Sequence, residues 1–232
     1  MCMNKKIVAI CAVTLTLFFA FWQFAHYKSE VKSCFSFADN ADRKVIYLTF
    51  DDGPTDRITP KILDVLDEED VKATFFIIGR NAERRKYLIN REYQSGHTVA
   101  VHSYTHRYNE IYKDKAALLK DIEDCNAVIR SVTGEYSKIY RFPGGSSNAR
   151  PELVDCVVEN GYRYVDWNAG LCDAEIPNAT AEQLYKAAIA TAEGINHIVM
   201  LAHDSTDKVN TPEALRLVIK YFKEKGYSFE NL

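Results

Sequence analysis

From residue 45 onward, short apolar runs alternate with segments of helical periodicity, and this alternation limits the fold more than any other feature. Runs rich in β-branched and aromatic residues predict strands at 45–50, 73–78, 98–103, 139–142, 162–167, 197–202 and, more weakly, 227–229. Helical patterns lie between them, at 60–70, 83–95, 115–132, 151–160, 181–193 and 212–225. Strands that alternate with helices indicate an α/β fold with a parallel sheet and crossover helices.

The strands are nearly continuous apolar runs, which is typical of a sheet covered on both faces. Two architectures fit this pattern, an open doubly wound sheet and a closed, irregular β/α barrel. In both, the functional site forms beyond the carboxyl ends of the strands. The residues that follow each strand are therefore the ones to search for chemistry.

The N-terminal segment is different in kind. Lys5 and Lys6 precede residues 7–25, which are apolar apart from Thr14, Thr16 and Gln23. Such a helix would span about 28 Å, close to the hydrocarbon thickness of a bilayer. We expect a single transmembrane anchor over 1–27, a polar linker over 28–44 and one domain over 45–232, outside the cytoplasm because lysines precede the apolar segment. A cleaved signal peptide and a buried soluble helix are the alternatives.

The charge composition argues against nucleic acid as a partner, and the cysteine spacing does not determine whether disulfides form. With 29 Lys and Arg against 32 Asp and Glu, the chain has no basic excess and gives no indication of nucleic-acid binding. Four of the six cysteines lie beyond the apolar segment, but their spacing includes no CxxC pair. Their oxidation state is left undecided.

Two predicted strands end in residues that can bind a metal ion. The first ends in Asp51-Asp52-Gly53, which is also ordinary turn chemistry. The third ends at His102, with His106 four residues later, a spacing that is weak evidence when taken alone. Because these strand ends should meet at one edge of the sheet, Asp52, His102 and His106 predict a catalytic metal site with two imidazoles and one carboxylate.

Three further strands carry ionisable groups at the same edge. Arg141 lies in the fourth strand, Asp166-Trp167 ends the fifth, and His203 follows the sixth. Each also has a purely structural interpretation: a strand before a glycine turn, a buried tryptophan, and a histidine held by structural hydrogen bonds. Their convergence with the Asp and His residues argues for an enzyme.

In this order, the motifs resemble those of the polysaccharide deacetylase family (carbohydrate esterase family 4, the NodB homology domain). The resemblance covers essentially all of 45–232 and rests on the following segments: Thr49-Phe50-Asp51-Asp52-Gly53, His102-Ser103-x-x-His106, Arg141-x-Pro143, Asp166-Trp167 and Leu201-x-His203. It implies a distorted (β/α) barrel of about seven parallel strands and one divalent ion, zinc or else cobalt or a similar ion, held by Asp52, His102 and His106.

The resemblance also implies roles for the other residues. Asp51 would be the general base held by Arg141, and His203 the general acid tuned by Asp166. Trp167 and Leu201 would line an acetyl pocket, and Pro143 and Gly144 would border the substrate. Many members have an aromatic residue at the position of Gly144, so we expect a more open groove here.

These expectations combine into a membrane-anchored, external, metal-dependent deacetylase acting on an envelope glycan, with N-acetylglucosamine of peptidoglycan as the expected substrate. Alternative substrates are chitin-like oligosaccharide, exopolysaccharide and O-acetylated xylan. A non-catalytic glycan-binding module is a remote alternative, because it predicts the loss of motif residues that are all present. A signalling membrane protein would need a second domain, which the pattern does not indicate.

Overall fold

A computed structural model describes residues 43–232. Within them, the strands are β1 (Val45–Asp51), β2 (Thr74–Ile78), β3 (Thr98–Ser103), β4 (Ile139–Tyr140), β5 (Arg163–Tyr164), β6 (Ala169–Gly170), β7 (His197–His203) and β8 (Ser228–Glu230). The α-helices of the same region are α1 (Thr59–Glu68), α2 (Gly79–Glu83), α3 (Lys86–Gln94), α4 (Tyr108–Ile111), α5 (Lys115–Thr133), α6 (Pro151–Glu159), α7 (Ala181–Ala192) and α8 (Thr211–Glu224). A 3₁₀ turn covers Ser146–Asn148.

Seven strands form a parallel half-barrel in the order β5-β4-β3-β2-β1-β7-β6, and β8 pairs with β1 beside it. The α/β class and the set of seven predicted strands are confirmed. The bounds of β4 and β5 are shorter than predicted. Among the described residues, β5 and β6 are the two ends of the strand order and do not pair with each other. The structure is therefore a half-barrel and not the closed barrel that was one of the expectations.

Besides the 3₁₀ turn, three short elements were not predicted: β6, α2 and α4. The pairing of β6 with β7 involves only Ala169 and Gly170, too short a run for periodicity to detect. The predicted helix 83–95 corresponds to α3, while the short helix α2 precedes it and shares only Glu83 with the predicted range. Helix α4 is a single turn directly after the histidine motif. Elements β6 and α4 lie close to the candidate site, and α2 contacts it through a hydrogen bond from Nδ2 of Asn81 to the main-chain oxygen of Asp52 at 3.0 Å.

Both faces of the central strand are buried, as its continuous apolar sequence indicates. In β1, Ile46, Leu48 and Phe50 pack in the larger core beneath the helices. Val45 and Tyr47 face the opposite, inner side, where they meet the smaller apolar cluster. Alternate residues of one strand thus fill two layers, which fixes its register.

The ends of the long helices follow from local sequence. Asp114 caps α5 by accepting a hydrogen bond from the Ala117 backbone N–H at 2.8 Å, and Gly134 ends it with φ of 83°. Thr180 and Gln183 form a capping box at the start of α7. These caps hold the helices that pack against the sheet and so support its carboxyl edge.

Register brings the site strands together at that edge. Asp51 at the end of β1 lies opposite Phe76 of β2 and His203 of β7, and Val101 of β3 lies opposite Tyr140 of β4. The groups that follow β1, β3, β4 and β7 therefore share one edge.

Among the described residues, no helix has the length and apolar character needed to cross a bilayer. The predicted anchor over 7–25 and most of the predicted linker lie outside the described residues and stay predictions.

Candidate active site

Three side chains converge after β1 and β3, as the sequence predicts. Oδ1 of Asp52 lies 3.6 Å from Nε2 of His102 and 3.2 Å from Nε2 of His106. Asp52 adopts φ of 78° and His106 φ of 56°, so both residues are in left-handed conformations. Backbone conformations of this kind cost energy and are often retained where a site needs them. Here they aim the carboxylate and the imidazole at one point.

The geometry fits a divalent cation. One ligand atom from each of Asp52, His102 and His106 lies within 4.8 Å of the others. Oδ1 of Asp52 is buried and has no hydrogen-bond partner among the described residues, which is costly unless an ion is bound there. Burial above all lowers the pKa of His102 to about 3, so its ring is neutral and can coordinate an ion. Two imidazoles and one carboxylate suit zinc or cobalt.

The ring of His102 is oriented by a hydrogen bond at Nδ1, the nitrogen that faces away from Asp52. Its Nδ1 lies 2.9 Å from the main-chain carbonyl oxygen of Arg141. A carbonyl only accepts hydrogen bonds, so Nδ1 carries the proton and Nε2 presents its lone pair. The segment that supplies Arg141 therefore also fixes the tautomer of a candidate metal ligand.

Asp121, which the sequence analysis did not single out, holds the loop between His102 and His106. Its two carboxylate oxygens accept hydrogen bonds from the Ser103 hydroxyl at 2.6 Å, the Tyr104 N–H at 2.8 Å and the Thr105 N–H at 2.9 Å. Ser103 in turn accepts from the His106 N–H at 2.8 Å. The available signal was an aspartate directly beside the apolar stripe of α5, where a buried charge needs partners.

Asp51 and Arg141 form a buried pair next to the triad, as the sequence predicts. Nη1 of Arg141 donates to Oδ1 of Asp51 at 2.9 Å and to Oγ1 of Thr49 at 2.7 Å. The guanidinium is 0% exposed and also donates to the carbonyl oxygens of Val165 and Asp166. Burial raises the pKa of Asp51 and outweighs the opposing effects of Arg141 and His203. The carboxylate is thereby held rigidly as a somewhat strengthened base.

The predicted partner of His203 is wrong. Nδ1 of His203 lies 2.7 Å from Oδ1 of Asp173, and its backbone N–H donates to Oδ2 of the same residue at 2.9 Å. Thr211 Oγ1 also donates to Asp173 Oδ2, at 2.9 Å. Burial lowers the pKa of His203, but hydrogen bonding and charge from Asp173 prevail and raise it to about 9. Asp173, on the irregular segment after β6, is thus the aspartate that tunes this histidine.

Asp166 has a different task. Its carboxylate accepts hydrogen bonds from the Ser146 N–H at 3.0 Å and from the Ser146 hydroxyl at 2.5 Å. It therefore fixes the glycine turn that follows β4, two residues beyond Gly144. Asp166 lies at the predicted edge of the sheet but contacts Ser146 and not His203, because a strand-end position does not show which loop folds over it.

Of the predicted pocket residues, Pro143 lies in this turn, Trp167 directly follows Asp166, and Leu201 lies in β7. The Trp167 ring is half-buried, with the Arg141 guanidinium 5.7 Å from its centroid. Leu201 is 6% exposed and pairs in register with Gly170. Pro143 is buried, and its carbonyl accepts a hydrogen bond from the Tyr112 hydroxyl at 2.8 Å.

The groove beside Gly144 is more occupied than expected. Gly144 is exposed and adopts φ of 76°, which disfavours a side chain. A Cβ there would lie 2.8 Å from Nδ2 of Asn148 and 3.0 Å from the hydroxyl oxygen of Tyr108. Side chains from α4 and from the 3₁₀ turn therefore lie where an aromatic residue at 144 would project.

Asp204 supports the Asp51-Asp52-Gly53 turn from below and was also missed. Its carboxylate is 1% exposed, accepts a hydrogen bond from Thr59, and would collide with any Cβ added to Gly53. Residue 53 must therefore be glycine, because the Asp204 carboxylate occupies the place of a Cβ. Burial, with Asp52 and Asp51 nearby, raises the pKa of Asp204 to about 7, against the effect of the Thr59 hydrogen bond.

The described thiols form no disulfide with one another. Cys125 and Cys156 are buried and Cys172 is half-buried. Burial raises the pKa of Cys172 to about 12, so this thiol stays protonated. Cys34 lies outside the described residues.

One sheet edge carries a carboxylate and two histidines that could hold a metal ion, an arginine-held carboxylate and an aspartate-held histidine. Together these groups define a hydrolase-type site. Residues 38–165 match the family described as polysaccharide deacetylase. The chain belongs to this family and is a deacetylase hydrolase. It is 34% identical over 194 residues to a peptidoglycan-N-acetylglucosamine deacetylase from Bacillus cereus, which covers 82% of this chain and 69% of that protein.

Solved structures agree with the fold. The catalytic domain of a peptidoglycan N-acetylglucosamine deacetylase from Eubacterium rectale is 36% identical, with a TM-score of 0.77 over 86% of this chain and 93% of that one. A family 4 acetyl xylan esterase from Clostridium thermocellum, solved in complex with a cobalt ion, is 33% identical, with a TM-score of 0.72 over 81% and 88% of the two chains.

Proposed function

We propose that this protein is a metal-dependent deacetylase that removes N-acetyl groups from N-acetylglucosamine of peptidoglycan. One observation carries the proposal. The buried, unpartnered Oδ1 of Asp52 faces two histidine nitrogens, with the base candidate Asp51 directly beside it in the chain. Asp52, His102 and His106 would hold the divalent ion. When bound, that ion supplies a Lewis acid that polarises an amide carbonyl.

Asp51 takes the proton from the attacking water in this proposal. Its carboxylate has one oxygen fixed by Arg141 at 2.9 Å, while the other, Oδ2, lies 3.9 Å from Nε2 of His102. A base must be positioned before its pKa matters, and the Arg141 contact provides that position. Burial then raises the pKa of Asp51, which strengthens it as a base.

His203 donates a proton to the departing amine. An amide resists hydrolysis largely because its nitrogen leaves poorly, so a cationic acid close by lowers the barrier. With a pKa raised to about 9, His203 is protonated at neutral pH. Asp173 holds the proton-bearing Nδ1 and leaves Nε2 directed to the substrate. The main-chain N–H of Gly144 is the proposed donor to the oxyanion.

Peptidoglycan is favoured as the substrate by the names of the similar proteins and by the predicted external location. Lys5 and Lys6 before the apolar residues 7–25 predict a membrane-held domain facing the cell wall. O-acetylated xylan is the second candidate, because one of the similar structures is an acetyl xylan esterase. An ester needs less help from His203, because an alkoxide leaves more readily than an amide nitrogen.

The test is acetate release by the purified full chain from peptidoglycan, chitooligosaccharide and acetylxylan, with and without a chelator. We expect release from peptidoglycan that a chelator abolishes and added zinc or cobalt restores. The matched control is Asp52→Ala, which should be inactive under all conditions. Full activity in chelator would contradict the metal requirement. Faster release from acetylxylan than from peptidoglycan would instead favour the esterase.

A further inference from the structure

A row of four aromatic rings runs along the rim of the site, from the metal-binding loop to the turn after β4. We call it the aromatic row: His106, Tyr108, Tyr112 and Phe142. Successive ring centroids are 5.5, 5.8 and 6.5 Å apart, and the first two pairs meet edge to face. Edge-to-face packing of this kind restricts ring orientation. The row therefore holds Tyr108 at a fixed place beside a metal-binding histidine.

Within this row, Tyr108 has the greatest freedom to meet a ligand. Phe142 is fully buried, and the Tyr112 hydroxyl is engaged by the Pro143 carbonyl. Tyr108 is 45% exposed, and its hydroxyl makes no hydrogen bond with any side chain or backbone group of the described residues. A rigid ring with an exposed face and an unused polar tip has the features of a binding residue.

The hydroxyl of Tyr108 is also placed over the turn that borders the substrate. It lies 3.0 Å from the position that a Cβ on Gly144 would take. Because Gly144 has φ of 76°, residue 144 cannot readily supply a wall of its own. The single-turn helix α4 supplies that wall instead, through a side chain two residues beyond His106.

We propose that Tyr108 is a substrate-binding residue of the deacetylase site, whose ring packs against the apolar face of an N-acetylated sugar and whose hydroxyl hydrogen-bonds that sugar. The proposal rests on the proposed function. It assigns substrate affinity to α4, an element that neither periodicity nor motif matching indicated. A purely structural role would be carried by the ring contact with His106 and would affect metal binding.

Two variants separate these roles in the purified, zinc-loaded full chain, with N-acetylglucosamine oligosaccharide as the probe. Tyr108→Phe keeps the ring and removes the hydroxyl, so we expect kcat/KM to fall by about 3- to 10-fold, the loss of one hydrogen bond. Tyr108→Ala also removes the ring, and we expect KM to rise by at least about tenfold with little change in kcat. Zinc affinity, measured by titration, should stay within about threefold of the unmodified chain in both.

Tyr136→Ala is the matched control, since Tyr136 is a similarly exposed tyrosine that precedes β4 at the opposite edge of the sheet. Its KM should equal that of the unmodified chain. An unchanged KM in both Tyr108 variants would overturn the proposal, and so would a parallel loss of zinc affinity and activity in Tyr108→Ala.

A second measurement is independent of turnover. Asp51→Asn should bind the oligosaccharide without hydrolysing it, so calorimetry can compare it with the Asp51→Asn/Tyr108→Ala double variant. We expect about tenfold weaker binding in the double variant, and equal binding would refute the role of Tyr108. If the unmodified chain released acetate from none of the glycans, the proposed function would be refuted. The role of Tyr108 would then be tested by the calorimetric binding comparison alone.

Discussion

At the scale of single residues, the pairing of His203 with Asp173 decides how the proposed acid works. Burial alone would favour neutral imidazole, whose single ring proton would lie at Nδ1 beside Asp173 and leave none at Nε2 to donate. Two contacts from Asp173, to the ring and to the backbone N–H of His203, reverse that preference. A single carboxylate thus both orients the ring and keeps it charged.

This pairing predicts the alkaline limb of the pH–rate profile. The pKa of His203 is raised from 6.5 to about 9, so the acid form persists through neutral pH and is lost as pH rises through about 9. In Asp173→Asn the raising influence is removed while burial remains, so the limb should move to lower pH by at least about one unit. The measurement is kcat/KM for acetate release between pH 6 and 10.

Asp166→Asn is the control for that experiment. Asp166 contacts Ser146, so its substitution should change the rate without moving the alkaline limb. A limb that moves in Asp166→Asn and stays in place in Asp173→Asn would contradict the assignment and restore the pairing expected from sequence.

At the scale of elements, α5 controls the loop that carries both His106 and Tyr108. Through Asp121 it accepts four hydrogen bonds from Ser103, Tyr104 and Thr105. The same helix buries its apolar stripe against the sheet. Packing of the helix and placement of the metal-binding histidine are therefore coupled through one carboxylate.

We predict that Asp121→Ala weakens zinc binding by about 10- to 100-fold, the usual effect of removing a group that orients metal ligands. Zinc titration of the purified chain measures it. Asp124→Ala, on the same helix, removes only a surface pair with Lys120 and should leave zinc affinity unchanged. Equal zinc affinities in the two variants would show that the loop holds its shape without Asp121.

The sequence predicted the parts of the site that long strands position. Asp51, Asp52 and His102 end or directly follow strands whose apolar patterns are strong, so their shared edge could be inferred. Asp173 follows a two-residue strand, and its contact with His203 depends on the path of an irregular segment. Tyr108 lies in one turn of helix, too short to give a periodic signal. Contacts made by such segments depend on tertiary packing, which local patterns do not encode.

At the scale of the whole molecule, a bound cation would join the ends of β1 and β3, with β2 between them. An ion that binds the folded chain and not the unfolded one adds stability, about 2.7 kcal/mol at 100 times its dissociation constant. For a domain of this size we expect zinc to raise Tm by about 5–10 °C. Differential scanning calorimetry of the full chain, with zinc and with chelator, measures the shift.

Variants of the neighbouring Asp51 and Asp52 make that experiment distinguish the proposed base from the proposed metal ligand. Asp52→Ala should lose both the shift and the activity, because it removes a ligand. Asp51→Asn should keep most of the shift yet lose most turnover, because it removes the base and leaves Asp52, His102 and His106 in place. A zinc-dependent shift that survives in Asp52→Ala would place the cation elsewhere, and near-normal turnover in Asp51→Asn would remove Asp51 as the base.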